Sequence, residues 1–183
     1  MRRWRISAGT WRAALIVGAA IAVTSCDQPG ELYQRPPAEV RDLLRTVEVP
    51  LYMFGSSAET DAIVDGSDPA AIAWKITADQ RSLMTFTARI TPEGDSATRV
   101  TIDVEGARTG KYGDVQALLE KAKETRTLYL VSMTEAVDST LDGRAFDISR
   151  TYPALITAGT ANAARLFPPS DGDSRPSATG NHR

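Results

Sequence analysis

One cysteine and one histidine occur in 183 residues, and each scarcity removes a class of chemistry. With Cys26 alone, no intramolecular disulfide and no multi-thiolate metal site can form. The one histidine is His182, second from the end of a segment, 168–183, whose only apolar side chains are prolines and one alanine. Such a segment buries too little to offset its ordering entropy and is expected to be disordered. A serine-hydrolase triad, a histidine general base and a histidine metal cluster all need an imidazole held in place. The main hydrolase and zinc classes are therefore close to excluded. Long apolar runs are missing too. Ala13–Val23 is eleven residues, against ~20 for a membrane span. Nor is positive charge in excess: the net charge is −2, without the footprint of a nucleic-acid binder.

What the N-terminus does carry is ordered. Arg2, Arg3, Arg5 and Arg12 lead, the apolar run follows, and small residues close it at Val23-Thr24-Ser25-Cys26. A basic lead, a short apolar stretch and a small-residue exit predict a secretory signal peptide over 1–25. Arg2-Arg3 reads as part of that lead and not as a twin-arginine signal, because Arg5 displaces the apolar residue expected after the pair. Val23-Thr24-Ser25-Cys26 resembles the lipobox of bacterial lipoproteins. The resemblance implies cleavage before Cys26, a diacylglycerol on its sulfur and acylation of the new amine, which together would hold the chain at a membrane. Asp27 resembles the inner-membrane retention signal of enteric lipoproteins. The periplasmic face of the inner membrane is thus expected over the outer membrane. Losing the four arginines of the signal leaves a mature chain of 158 residues with a net charge of −6. It has no polybasic face for anionic lipid, so the lipid on Cys26 is the expected membrane contact.

Beyond Cys26, residues 26–36 are polar and contain Pro29-Gly30, which predicts a short lipidated tether. A single α+β domain is expected over 37–167, without internal repeats. Pro37 at a first helical turn, with Val40, Leu43 and Leu44 on one face, predicts a short helix. Residues 47–54 favour a strand that Pro50 demotes to an edge or broken one. Strict alternation follows three times, at Ile72-Trp74-Ile76, Met84-Phe86-Ala88-Ile90 and Val100-Ile102-Val104. That pattern predicts an antiparallel sheet of three to four strands with one wet face. The turn Pro92-Glu93-Gly94-Asp95-Ser96 makes 83–105 a hairpin. Pairing Ile90 with Val100 sets Phe86 opposite Val104 and Thr87 opposite Asp103, and keeps Arg89 away from Arg99. Asp114 caps an expected helix with Val115, Leu118, Leu119 and Ala122 inward, ending near Glu124. Thr127 caps a second, with Leu128, Val131, Ala136, Val137 and Leu141 inward and Gly143 past its end. Pro153 opens a third helical stretch to Phe167, with Ala154, Ala158 and Ala161 suited to close packing. Trp74-Lys75-Ile76 and the hairpin of 83–91 and 97–105 are weakly similar to the middle strands of helix-grip domains of the START and polyketide-cyclase type. That group has more strands and one long C-terminal helix, and the resemblance implies an internal ligand cavity.

Candidate chemistry is sparse. Asp61, Asp65 and Gly66 match positions 1, 5 and 6 of a calcium loop, but Ile63 and Ile72 stand where ligands are needed, and turn chemistry explains Asp65-Gly66-Ser67-Asp68-Pro69 better. Asp103 and Glu105 share a strand face with Thr101 and Arg99, which reads as a solvated surface before an acid–base pair. Gly106, Gly110 and Gly113 lack phosphate-loop spacing and read as a flexible connection. Trp74, Met84 and Phe86 are the candidate ligand-binding residues, with a core role for Trp74 as the plainer reading. The expectation is a non-catalytic, lipid-anchored adaptor with an unknown protein partner, no nucleic acid, no metal and no cofactor. The alternative is a carrier of a small apolar ligand behind Trp74, and an enzyme running on carboxylates comes third.

Overall fold

The computed structural model describes residues 30–54 and 59–166. The expected signal peptide, Cys26, Asp27 and the segment 168–183 lie outside them. An open antiparallel sheet of five strands carries four helices, so the α+β expectation holds. In chain order the strands are β1 (Glu31–Tyr33), β2 (Thr60–Asp65), β3 (Ala71–Ala78), β4 (Arg81–Pro92) and β5 (Thr98–Gly106). The helices are α1 (Pro37–Leu44), α2 (Val115–Lys121), α3 (Lys123–Asp142) and α4 (Tyr152–Leu166). The sheet order is β1-β5-β4-β3-β2.

The β4–β5 hairpin has the register that alternation predicts: Ile90 faces Val100, Phe86 faces Val104, and Thr87 faces Asp103. Ile72, Trp74, Ile76, Met84, Phe86, Ala88, Ile90, Val100 and Val104 are buried on one face. Lys75, Thr85, Thr87, Arg89, Thr101 and Asp103 lie on the other, half-buried or exposed. β3 turns into β4 through Asp79 and Gln80, both at positive φ (48° and 61°). Positive φ at both centres of a two-residue loop matches the twist of the flanking strands.

Two of the five strands lie outside the three that alternation predicts. β1 falls inside the expected tether, where Pro-Gly and charge conceal it. It pairs with β5, and the buried Tyr33 pins it by donating its hydroxyl to Asp138 on α3. β2 is the opposite edge, paired only with β3. Its two faces are both largely exposed, so Thr-Asp-Ala-Ile-Val-Asp was never under pressure to alternate. Residues 47–54 correct the expected broken strand. Pro50 has no N–H to give a ladder, its carbonyl accepts from Met53 at 3.3 Å, and Leu51–Phe54 winds into a 3-10 turn.

α1 lays Val40 and Leu44 into the core, with Pro37 in its first turn. The Asp114 side chain caps α2 by accepting from Ala117 N at 2.8 Å. Leu118, expected inward, is 59% exposed, whereas Val115 and Leu119 are buried. α3 starts four residues before Thr127, whose hydroxyl instead donates to Lys123 O inside the helix. Leu128, Ala136, Val137 and Leu141 face inward as expected. Val131 is only half-buried and lines the groove between α3 and α4. Gly143 ends α3 at φ 66°, a conformation that costs a side chain about 1–2 kcal/mol. Gly106 is required for a different reason. A Cβ there would sit 2.5 Å from Gln116 N, so β5 can abut the first turn of α2 only with glycine.

Candidate functional site

Most of the candidate carboxylates hold neighbouring groups, Glu105 excepted, which lies exposed on β5. Asp65 holds Lys75 at 2.7 Å and accepts from Ser67 N, and these contacts keep it well below the usual carboxylate range. Asp61 accepts locally from Ala62 N. Both aspartates sit on strand β2, so the calcium-loop geometry does not arise. Asp103 pairs with Arg126 at 2.7 Å. Asp79, in the β3–β4 turn, accepts from Lys111 Nζ and the Tyr112 hydroxyl, which depresses its pKa and ties the 107–114 connection to the sheet.

Glu135 is the most buried acid among the described residues, with 3% of its side chain exposed. Arg144 donates to both of its oxygens, Asp147 N donates at 2.9 Å and Arg150 at 3.3 Å. Those donors, Arg144 first, lower its pKa against the opposing cost of burial. This one side chain fixes the whole α3–α4 connection. Asp138, a turn away, goes the other way: burial raises its pKa although the Tyr33 hydroxyl opposes the shift. Among the described residues no group of three or more metal-ligating side chains occurs.

The candidate ligand residues divide. Trp74 and Phe86 face each other across β3 and β4 in the centre of the core, each fully buried. Met84 is buried as well, but it also walls a cleft of about 500 Å³ at the end of the sheet. Ala78 and Leu83 form that cleft's floor with Met84. Val115, Leu118 and Leu119 of α2, Tyr129 of α3 and Phe54 enclose it. Phe54 stacks between the cleft and the core, 5.3 Å from Tyr129 and 6.5 Å from Phe86 by ring centroid. Burial raises the Tyr129 phenol. These aromatics come from separate segments, and only hydrophobic character marked any of them in sequence.

α4 presents the second notable surface. Ala158 is buried and Ala154 and Ala161 half-buried along the side packed on α3. On the other side Tyr152, Leu155 and Ile156 are 48%, 41% and 69% exposed. The sequence has no charged residue from Tyr152 to Ala164. At the start of the helix the Tyr52 hydroxyl lies 3.3 Å from Thr151 Oγ1, and its ring meets Phe146 edge-on at 6.3 Å. Exposed aromatic and aliphatic groups therefore continue around the N-terminal end of α4.

No protein-family model, curated protein or solved structure matches the chain. Function has to be argued from the surfaces themselves. Among the described residues no helix is long and apolar enough to cross a membrane.

Proposed function

We propose that this is a lipid-anchored cell-envelope protein, held through Cys26, whose domain binds a protein partner and carries out no reaction on it. The observation that supports the reading is the outer stripe of α4. Tyr152, Leu155 and Ile156 recur at helical spacing on the stretch of α4 without charged residues and face solvent. Side chains of this kind contribute most where a partner removes them from water. The committed carboxylates are in keeping with a binding role, since each is an ion-pair or capping partner of a neighbour. β1 begins at Glu31, so a lipid on Cys26 would be joined to the sheet by a link only as far as Gly30. At ~3.5 Å per extended residue, that link holds the domain within about 17 Å of the bilayer. The partner would then be met at the membrane, on its periplasmic face.

Two measurements test this. Cys26→Ala is expected to leave unprocessed precursor, and intact mass of the wild-type protein from membranes is expected to show a chain starting at Cys26 with added acyl mass. A cleaved chain without that mass sinks the anchor. Native gel electrophoresis of solubilised membranes is expected to show a species larger than the monomer that Ile156→Glu reduces to the monomer. Ile156 is largely exposed, so the substitution leaves the fold intact. Unchanged migration removes the α4 stripe from the proposal.

A further inference from the structure

The cleft at the end of the sheet differs in kind from the other concavities. Its lining of Phe54, Thr60, Ala78, Leu83, Met84, Tyr112, Val115, Leu118, Leu119, Ala122, Thr125, Tyr129 and Asn162 contains no charged side chain. Each of four other clefts among the described residues presents at least one. In a chain of which 24% is charged, an uncharged lining is selective. A charged ligand entering it would lose hydration without a counter-charge, whereas a neutral one would lose little. The volume, about 500 Å³, is that of a small-molecule site. Among the polar groups of the wall, the Tyr129 hydroxyl has no hydrogen bond to another described residue. Tyr129 has its ring against Phe54, its phenol raised by burial alone, and no hydrogen bond from its hydroxyl. Tyr112, by contrast, is already donated to Asp79. An uncharged, largely hydrophobic wall with an open phenol donor suits an apolar molecule carrying a hydrogen-bond acceptor.

We propose that this cleft binds one neutral, apolar small molecule whose acceptor atom accepts a hydrogen bond from the Tyr129 hydroxyl, independently of any partner on α4. Leu118, 59% exposed on α2, forms an apolar rim that the fold of α2 does not itself need.

The probe is Nile red, which is neutral, apolar and bears a carbonyl acceptor, titrated into the chain from Asp27 to Arg183. That chain retains every described residue. Saturable, one-to-one enhancement of emission is expected. Leu118→Glu, which puts a charge on the rim of a position already in solvent, is expected to weaken binding at least tenfold with an unchanged circular dichroism spectrum. Tyr129→Phe, which deletes only the donor, is expected to weaken it about threefold to tenfold. No saturable binding, or equal binding in Leu118→Glu, overturns the site. Equal binding in Tyr129→Phe overturns the role of the phenol. Saturable binding that appears only when the chain is cut after Leu166 shows the cleft to be filled by the chain's own C-terminal segment, and overturns the small-molecule occupant.

Discussion

Replacing Trp74 by alanine tests the centre of the fold and also separates two opposed contributions. Trp74 is fully buried, opposite Phe86 on β4 and Val64 on β2, in one cluster with Met133 and Val137 of α3. Large-to-small changes of this kind cost ~3–5 kcal/mol, a transfer loss plus ~24 cal/mol per Å³ of cavity left behind. One term acts in reverse. The indole Nε1 is buried without a hydrogen-bond partner among the described residues, and an orphaned buried donor costs ~1–3 kcal/mol that its deletion returns. The expected loss for Trp74→Ala is therefore in the lower half of the range, ~3–4 kcal/mol. With a urea slope of ~2 kcal/mol/M, the midpoint falls by roughly 1.5–2 M. Trp74→Phe keeps most of the packing and removes the orphan, so its loss is expected at ~1 kcal/mol or less. Urea unfolding of residues 27–183, followed by circular dichroism, measures all three proteins. A loss below ~1 kcal/mol for the alanine variant refutes the packed-core assignment. A phenylalanine variant as unstable as the alanine one refutes the argument about the indole nitrogen.

Other expectations follow from the same accounting. Glu135 has a lowered pKa, so its stabilisation is fully present above the ordinary carboxylate value of ~4.3 and is lost as pH falls through its own, lower value. Glu135→Gln is accordingly expected to lose ~2 kcal/mol at pH 7 and to converge on the wild type in acid, and a gap that stays constant on acidification would count against the ion-pair argument. Gln80 occupies a left-handed position at φ 61° without needing its side chain there. Gln80→Gly should gain ~0.5–1 kcal/mol in urea, and a loss would mean the turn is not strained. The Ser132 hydroxyl is buried in α3 without a partner. Ser132→Ala should raise the melting temperature by a few degrees, helped by helix propensity, and a fall would show that an unseen partner satisfies it.

The elements legible in sequence are those whose residues had to alternate or repeat because one face was buried. β3 and β4 bury every second residue beneath α1, and β5 does the same beneath α3 except at the half-buried Ile102. Their pattern therefore carries the register directly, down to Thr87 opposite Asp103. β1 and β2 are sheet edges with little to bury, three residues in one case and two open faces in the other. Neither had a pattern to read. The boundary between α2 and α3 was hidden for a different reason. The two helices are separated only by Ala122, at φ −103° and ψ 68°, and nothing in its side chain announces a break. The cleft was legible only through Met84. Its other walls are mostly hydrophobic residues that any core might use, gathered with Thr60, Thr125 and Asn162 from β2, β3, β4, the three helices α2–α4 and Phe54.

α4 shows how a surface surplus to folding can be recognised. Its buried contact with α3 is made through alanines, with Ala158 the fully buried one, and a buried methyl group contributes only ~0.8 kcal/mol. What positions the helix is the connection before it. Glu135 holds Arg144, Asp147 N and Arg150, and Asp147 in turn accepts from Ser149 N at 3.0 Å. Thr151, fully buried, closes that connection by donating to Ile148 O at 2.8 Å. Anchoring and packing are thus provided without Tyr152, Leu155 or Ile156. A polar residue at each of those positions would serve the fold as well and would improve solubility. Tyr152, Leu155 and Ile156 each keep two-fifths or more of their surface in water among the described residues. The apolar surface they leave exposed contributes further only when something else covers it.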